Sequence, residues 1–101
     1  MINLLKSVFG GSGNTQLQDV LEQGAVIVDV RSASEFAGGH AKGAVNIPLD
    51  QLETKLNKVK SYQKPIVVCC ASGMRSARAK AFLSSQGLTN VHDAGSWRNL
   101  N

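Results

Sequence analysis

Cys70 opens the run Cys70-Ala71-Ser72-Gly73-Met74-Arg75-Ser76, directly after the apolar stretch Ile66-Val67-Val68-Cys69 and before a segment of helical character. A thiol at a strand-to-helix junction faces a fan of unpaired backbone N–H groups and the positive end of a helix. Both favour thiolate over thiol, and both can cradle an anion. Arg75, inside the same run, adds a permanent cation whose forked donors match an oxyanion. One short segment therefore supplies a nucleophile and a pocket for negative charge. The plainer reading of Cys70, a buried structural thiol, leaves Gly73 and Arg75 without a packing reason. Cys69 is the opposite case and reads as a small apolar strand residue on the other face.

The elements that must hold this loop can be traced along the chain. At 101 residues, 43% hydrophobic and 18% charged, the sequence fits one globular domain with a single core, not a disordered segment. Residues 1–13 read as an amphipathic N-terminal segment, with Ile2, Leu5, Val8 and Phe9 at helical spacing, followed by the linker-like Gly10-Gly11-Ser12-Gly13; residues 14–101 read as the domain. Thr15 is placed to cap a helix through Glu22, with Leu17, Val20 and Leu21 on one face and Gly24 at its end. The unbroken apolar run Ala25-Val26-Ile27-Val28-Asp29-Val30 predicts a strand buried on both sides. Ser32 and Glu35 form a capping box for a short helix to Ala37. Gly38, Gly39 and Gly43 then break the chain before a short strand, Ala44-Val45-Asn46-Ile47, that Pro48 ends.

Leu49, Leu52, Leu56 and Val59 give a helical stripe through Lys60, and Pro65 leads into the strand 66–69. Residues 75–86 read as a helix with Ala77, Ala81 and Phe82 inward, closed by Gly87. Val91 centres a last short strand before a terminal turn that carries Trp97. Strands and helices alternate without hairpin signals. That pattern predicts an α/β fold: a parallel sheet covered by helices on both faces, with its active edge at the carboxyl ends of the strands. Cys70 falls at such an end.

Charge divides the chain unevenly. Residues 1–54 carry three basic side chains against six acidic ones, whereas residues 55–101 carry eight against Asp93 alone, within a net charge of +4. The basic half holds Cys70, and its field would draw small anions or an acidic partner. Lys55, Lys58, Lys60 and Lys64 read more plainly as solvated surface charges. No nucleic-acid motif or interleaved aromatic accompanies them, which argues against a nucleic-acid partner. The two cysteines are sequence neighbours, about 3.8 Å apart at Cα and on opposite faces of a strand, so they cannot pair as a disulfide. A reducing cytoplasm is the expected compartment. His40 and His92 stand alone, so no metal and no cofactor is expected. The opening apolar residues are too few to span a membrane and lack the order of a signal peptide.

Taken together, the motifs resemble those of the rhodanese-like single-domain sulfurtransferases. The resemblance rests on Asp29-Val30-Arg31 after the first buried strand, on Glu35-Phe36, Gly39-His40, Gly43-Ala44 and Asn46-Ile47-Pro48, and on the Cys70 loop with Gly95 and Trp97 near the end. It implies an open parallel sheet of about five strands with helices on both faces. It also implies that the loop cysteine takes a sulfane sulfur as a persulfide and hands it to an acceptor. In that scheme Cys70 is the nucleophile, and Ala71, Ser72, Gly73, Met74, Arg75 and Ser76 bind the substrate. The backbone at 71–75 forms the cradle, Arg75 attracts an anionic donor, and Ser76 adds a hydrogen bond or a cap. Asp29, Arg31, Glu35 and His40 support the site, the first two as a structural ion pair with Glu35 and His40 as a hydrogen-bonded structural histidine. The implied donor is thiosulfate or a persulfide, and the implied acceptor is cyanide, a small thiol or a thioredoxin-like protein. One departure stands out: Ala94, not a second glycine, precedes Gly95.

Two other functions fit part of the pattern. A phosphatase or arsenate reductase of this fold needs arginine six positions after the cysteine, to wrap a tetrahedral anion. Here Ser76 holds that position and Arg75 comes one residue early. A non-catalytic sulfur-carrier or regulatory module would keep the fold without turnover, and the presence of Cys70 argues against it.

Overall fold

The computed structural model of the chain describes residues 12–100. The apolar positions Ile2, Leu5, Val8 and Phe9, and the start of the glycine-rich run, lie outside the described residues. Helix α1 (Ser12–Glu22) leads into strand β1 (Val26–Asp29); helix α2 (Ala33–Ala37) follows, then strand β2 (Val45–Asn46) and a 3-10 turn at Leu49–Gln51. Helix α3 (Leu56–Ser61), strand β3 (Ile66–Cys70), helix α4 (Met74–Ser85) and strand β4 (Val91–Ser96) complete the order, with a closing 3-10 turn at Trp97–Leu100. The four strands form one sheet in the order β2-β1-β3-β4, and every pairing is parallel.

The two central strands are the two most apolar runs of the sequence. Every residue of β3 is buried, as is β1 after its first residue, because helices cover both faces of a parallel sheet. Alternation sorts their side chains. Val67 and Cys69 face a cluster with Val20, Ile27, Ala41 and Ala94, capped by Leu17 and Leu21 of α1 and by Trp97. Ile66, Val68 and Cys70 face the opposite cluster with Val28 of β1, Leu52, Val59 of α3, and Ala79 and Leu83 of α4. The neighbouring cysteines therefore belong to different cores.

Several expectations are adjusted. Four strands, not about five, are present among the described residues. Helix α1 begins at Ser12, so Thr15 lies within it instead of capping it. The stripe from Leu49 to Lys60 is split into a 3-10 turn and the short helix α3, although Leu52 and Val59 are buried as expected. Strand β4 runs to Ser96, well past Val91, with a bulge at Ala94 where Asp93 pairs Val68 and Gly95 pairs Cys69. Its sequence, His92-Asp93-Ala94-Gly95-Ser96, carries no apolar alternation to announce a strand.

The largest change concerns α4. Its buried face is Ser76, Ala79 and Leu83, while Ala77 and Ala81 are exposed and Phe82 is half-buried. Alanines carry little periodic signal, and a serine reads as polar. Ser76 is nonetheless fully buried because its hydroxyl donates to the Gly73 carbonyl oxygen at 3.1 Å. Leu83→Ala should lower the unfolding free energy by about 2–5 kcal/mol in urea denaturation, whereas Ala81→Ser should shift it by no more than about 0.5 kcal/mol. The reverse ranking would restore the inward face expected from sequence.

Candidate active site

Cys70 is the last residue of β3, and the chain turns there into α4. The turn depends on Gly73, whose φ of 110° is a left-handed conformation that side chains with a Cβ rarely adopt. That conformation folds the loop back over the sulfur. The backbone N–H of Gly73 donates to Cys70 Sγ at 3.0 Å, and that of Ser76 at 3.4 Å. Burial alone would push the thiol up. Donation from the N–H groups of Ser76, Gly73 and Ser72 outweighs it, and Cys70 titrates below its ordinary value of 9.0. Cys69, one residue earlier, has no such donors, and burial pushes it up to about 12. Two adjacent thiols are thus set apart, one poised to ionise and one inert.

The loop arginine has a partner. Arg75 places its two terminal nitrogens on the two carboxylate oxygens of Glu35, at 2.7 and 3.0 Å. Glu35 is also the last member of the capping box at the start of α2: its carboxylate accepts from the Ser32 N–H at 3.0 Å, and Ser32 Oγ accepts from the Glu35 N–H. The Arg75 guanidinium, together with the Ser32 donors, holds Glu35 at about 2, well below its ordinary 4.5. One carboxylate thus joins the beginnings of α2 and α4 across the mouth of the site.

Beneath it lies a second, buried pair. Arg31 Nη2 meets Asp29 Oδ2 at 2.8 Å, its Nε lies 3.0 and 3.1 Å from the two Asp29 oxygens, and the Arg31 backbone N–H bonds Oδ1 at 3.0 Å. The bond to Asp29 raises the Arg31 pKa, so the guanidinium stays charged although nearly buried. Arg31 Nη2 also donates to the Gly39 carbonyl at 2.6 Å, and the guanidinium lies 4.8 Å from the ring centre of Trp97. Gly39 has a φ of 150°, which residues with a Cβ rarely adopt, and a Cβ on it would crowd Trp97 at 3.3 Å. Breaking one partner out of such a buried pair costs about 3–5 kcal/mol. Asp29 and Arg31 do pair, but the Glu35 carboxylate goes to Arg75; only the Glu35 backbone carbonyl approaches Arg31, at 3.4 Å.

His40 is held by Phe36. Its Nδ1 is 2.7 Å from the Phe36 carbonyl oxygen, and its ring stacks on Phe36 at 3.7 Å between centroids. Asn46 is a positioning residue that the spacing argument did not single out. Its amide donates to the Asp29 carbonyl at 3.0 Å and the Arg31 carbonyl at 2.9 Å, tying β2 to the loop after β1. Its place inside the Asn46-Ile47-Pro48 motif is the signal that could have found it. No cluster of three metal-ligating side chains occurs among the described residues.

Iodoacetamide should alkylate native Cys70 with a midpoint below the thiol's ordinary 9.0, while Cys69 reacts only after denaturation. Peptide mapping that finds native Cys69 labelled first would contradict the assignment. Glu35 gives a second, pH-dependent outcome. Its pKa is depressed on folding, so its contribution to stability is complete above 4.5 and fades as pH falls towards 2. The stability gap between the wild type and Glu35→Gln should therefore be flat at neutral pH and close on acidification across that window. A gap that widens in acid would reverse the sign.

With this geometry in hand, comparison with known proteins is specific. The model of the Rhodanese-like domain matches residues 14–99. The uncharacterised protein YqhL of Bacillus subtilis is 41% identical over 69 residues, which cover 68% of this chain and 54% of that protein, so the chain spans about half of that relative's length. The thiosulfate sulfurtransferase GlpE of Haemophilus influenzae is 34% identical over 76 residues, covering 75% of this chain and 71% of the relative. Among solved structures, the human single-domain sulfurtransferase TSTD1 superposes with a TM-score of 0.70 at 32% identity, covering 84% of this chain and 88% of the other. The cysteine loop, the parallel sheet that presents it and these matches agree: the chain belongs to the rhodanese-like domain family.

Proposed function

We propose that this chain is a rhodanese-like sulfurtransferase in which Cys70 carries a sulfane sulfur from thiosulfate or a persulfide donor to cyanide, a small thiol or a thioredoxin-like protein. The observation that carries the reading is the pair of backbone N–H groups on Cys70 Sγ, at 3.0 and 3.4 Å. They favour the thiolate, which needs no general base to attack. The thiolate attacks the outer sulfur of the donor, the donor's S–S bond breaks, and sulfite or a thiol leaves. The terminal sulfur of the resulting persulfide is then taken by the acceptor, and the Cys70 thiolate returns to its cradle.

Ala71, Ser72, Gly73, Met74, Arg75 and Ser76 surround the incoming sulfur in this scheme, with Ser76 both a donor and the buried anchor of α4. Asp29, Arg31, Glu35 and His40 support the loop without touching substrate. Cys70 is only 1% exposed, which favours a donor that enters end-on, sulfur first, over a bulky tetrahedral phosphate. Relatives named as thiosulfate sulfurtransferases support the same class of enzyme. No described helix is long and apolar enough to cross a membrane. Two free cysteines suit a reducing cytoplasm.

Intact-mass measurement after thiosulfate treatment should show one added sulfur atom, mapped to Cys70 and removed by cyanide. Cys70→Ser should abolish turnover, and Cys69→Ser should keep much of it. The same preparation should leave an aryl phosphate intact. Sulfur found on Cys69, or Cys70-dependent phosphatase activity without a persulfide, would overturn the proposal.

A further inference from the structure

The side-chain charges around Cys70 are already compensated. Arg75, the cation of the loop, is bound through both terminal nitrogens to Glu35. Arg31 is bound to Asp29 and is 5% exposed. Arg78 and Lys80 are exposed on α4 beyond the loop, and Arg98 lies over Trp97. The N–H groups of Gly73 and Ser76 are directed at the sulfur itself. What the loop does offer is Met74, a large apolar side chain 71% exposed at the first position of α4, next to Gly73. A flexible thioether there can follow the carbon chain of a ligand without imposing one shape.

We propose that the donor this site prefers is an organic persulfide, R–S–SH, with its carbon chain against Met74, and not thiosulfate; the proposal rests on the sulfur-transfer reading above. Thiosulfate brings two negative charges to a thiolate and finds no uncompensated cation in the loop to offset the repulsion. A persulfide is neutral when protonated and carries one charge at its reacting end otherwise, and it adds an apolar stem that Met74 covers. In the transfer, Cys70 Sγ attacks the outer sulfur and a new S–S bond forms. The donor's S–S bond breaks with its electron pair kept by the inner sulfur. The proton of the outer sulfur passes to that leaving thiolate, giving R–SH and the Cys70 persulfide anion. The sulfane sulfur changes partner, and no oxidant or reductant enters.

The test is the second-order rate of Cys70 persulfide formation in the full chain, read by intact mass, with cysteine persulfide, persulfidated thioredoxin and thiosulfate as donors. A persulfide should load Cys70 at least about tenfold faster than thiosulfate. Loading by cysteine persulfide identifies a low-molecular-weight source, and loading by persulfidated thioredoxin alone identifies a protein source; both support the preference. Met74→Lys, at an exposed position, adds a cation at the mouth and removes the apolar contact, and should narrow the persulfide-to-thiosulfate ratio about fivefold or more. Glu35→Gln, which uncovers the charge of Arg75, should move the ratio the same way. Thiosulfate loading as fast as either persulfide, or a ratio unmoved by Met74→Lys, overturns the preference while leaving sulfur transfer intact. Loading by no donor overturns both.

Discussion

A sulfur anion at the end of a buried central strand must be solvated by something other than water, and the rest of the site follows from that requirement. Cys70 sits where β3 leaves the sheet, inside a core of Val28, Leu83 and their neighbours. An unpaired anion there would be expelled or neutralised. Backbone N–H groups can be brought to it without importing a second charge. That fixes a left-handed residue at position 73, starts α4 at Met74, and requires Ser76 to be buried and internally bonded. The glycine at position 73 and the buried serine at position 76 thus follow from geometry around one atom.

The loop must also be held in place over the sulfur. Two charged pairs at the carboxyl edge of the sheet serve this end in different ways. Asp29 and Arg31 are buried and hold the backbone after β1, through Gly39 and the face of Trp97. Glu35 and Arg75 are half-exposed and clasp two helix starts together. The exposed pair adds little stability in solvent, yet its two-toothed geometry fixes direction. The buried pair contributes positional certainty and would be costly to break.

Much of this was legible in the sequence because the informative residues are chemically extreme. β-branched runs gave β1 and β3, Ser32 and Glu35 gave the cap of α2, and the Cys70-to-Ser76 segment gave the strand-to-helix junction. The less legible parts follow from weak signals. The inward face of α4 is made of a serine, an alanine and a leucine, so its periodicity is faint. β4 is a strand because β3 offers it a partner, not because His92-Asp93-Ala94-Gly95 prefers extension. The partner of Arg75 could not be read from spacing, since Glu35 lies forty positions away and meets it only once β1 and β3 are side by side.

The separation of the two thiols by strand alternation bears on repair. Cys69 faces the other core and is fully buried, and these 101 residues contain no third cysteine. If peroxide converts Cys70 to a sulfenic acid, no thiol in this segment can reach it to form a disulfide and stop oxidation at a reversible stage. Rescue has to come from a thiol outside these residues that fits the same loop mouth. Under the proposed sulfur transfer, the acceptor that drains sulfur from Cys70 is also the agent that protects it, and starving the protein of reductant should scar Cys70 before the fold is disturbed.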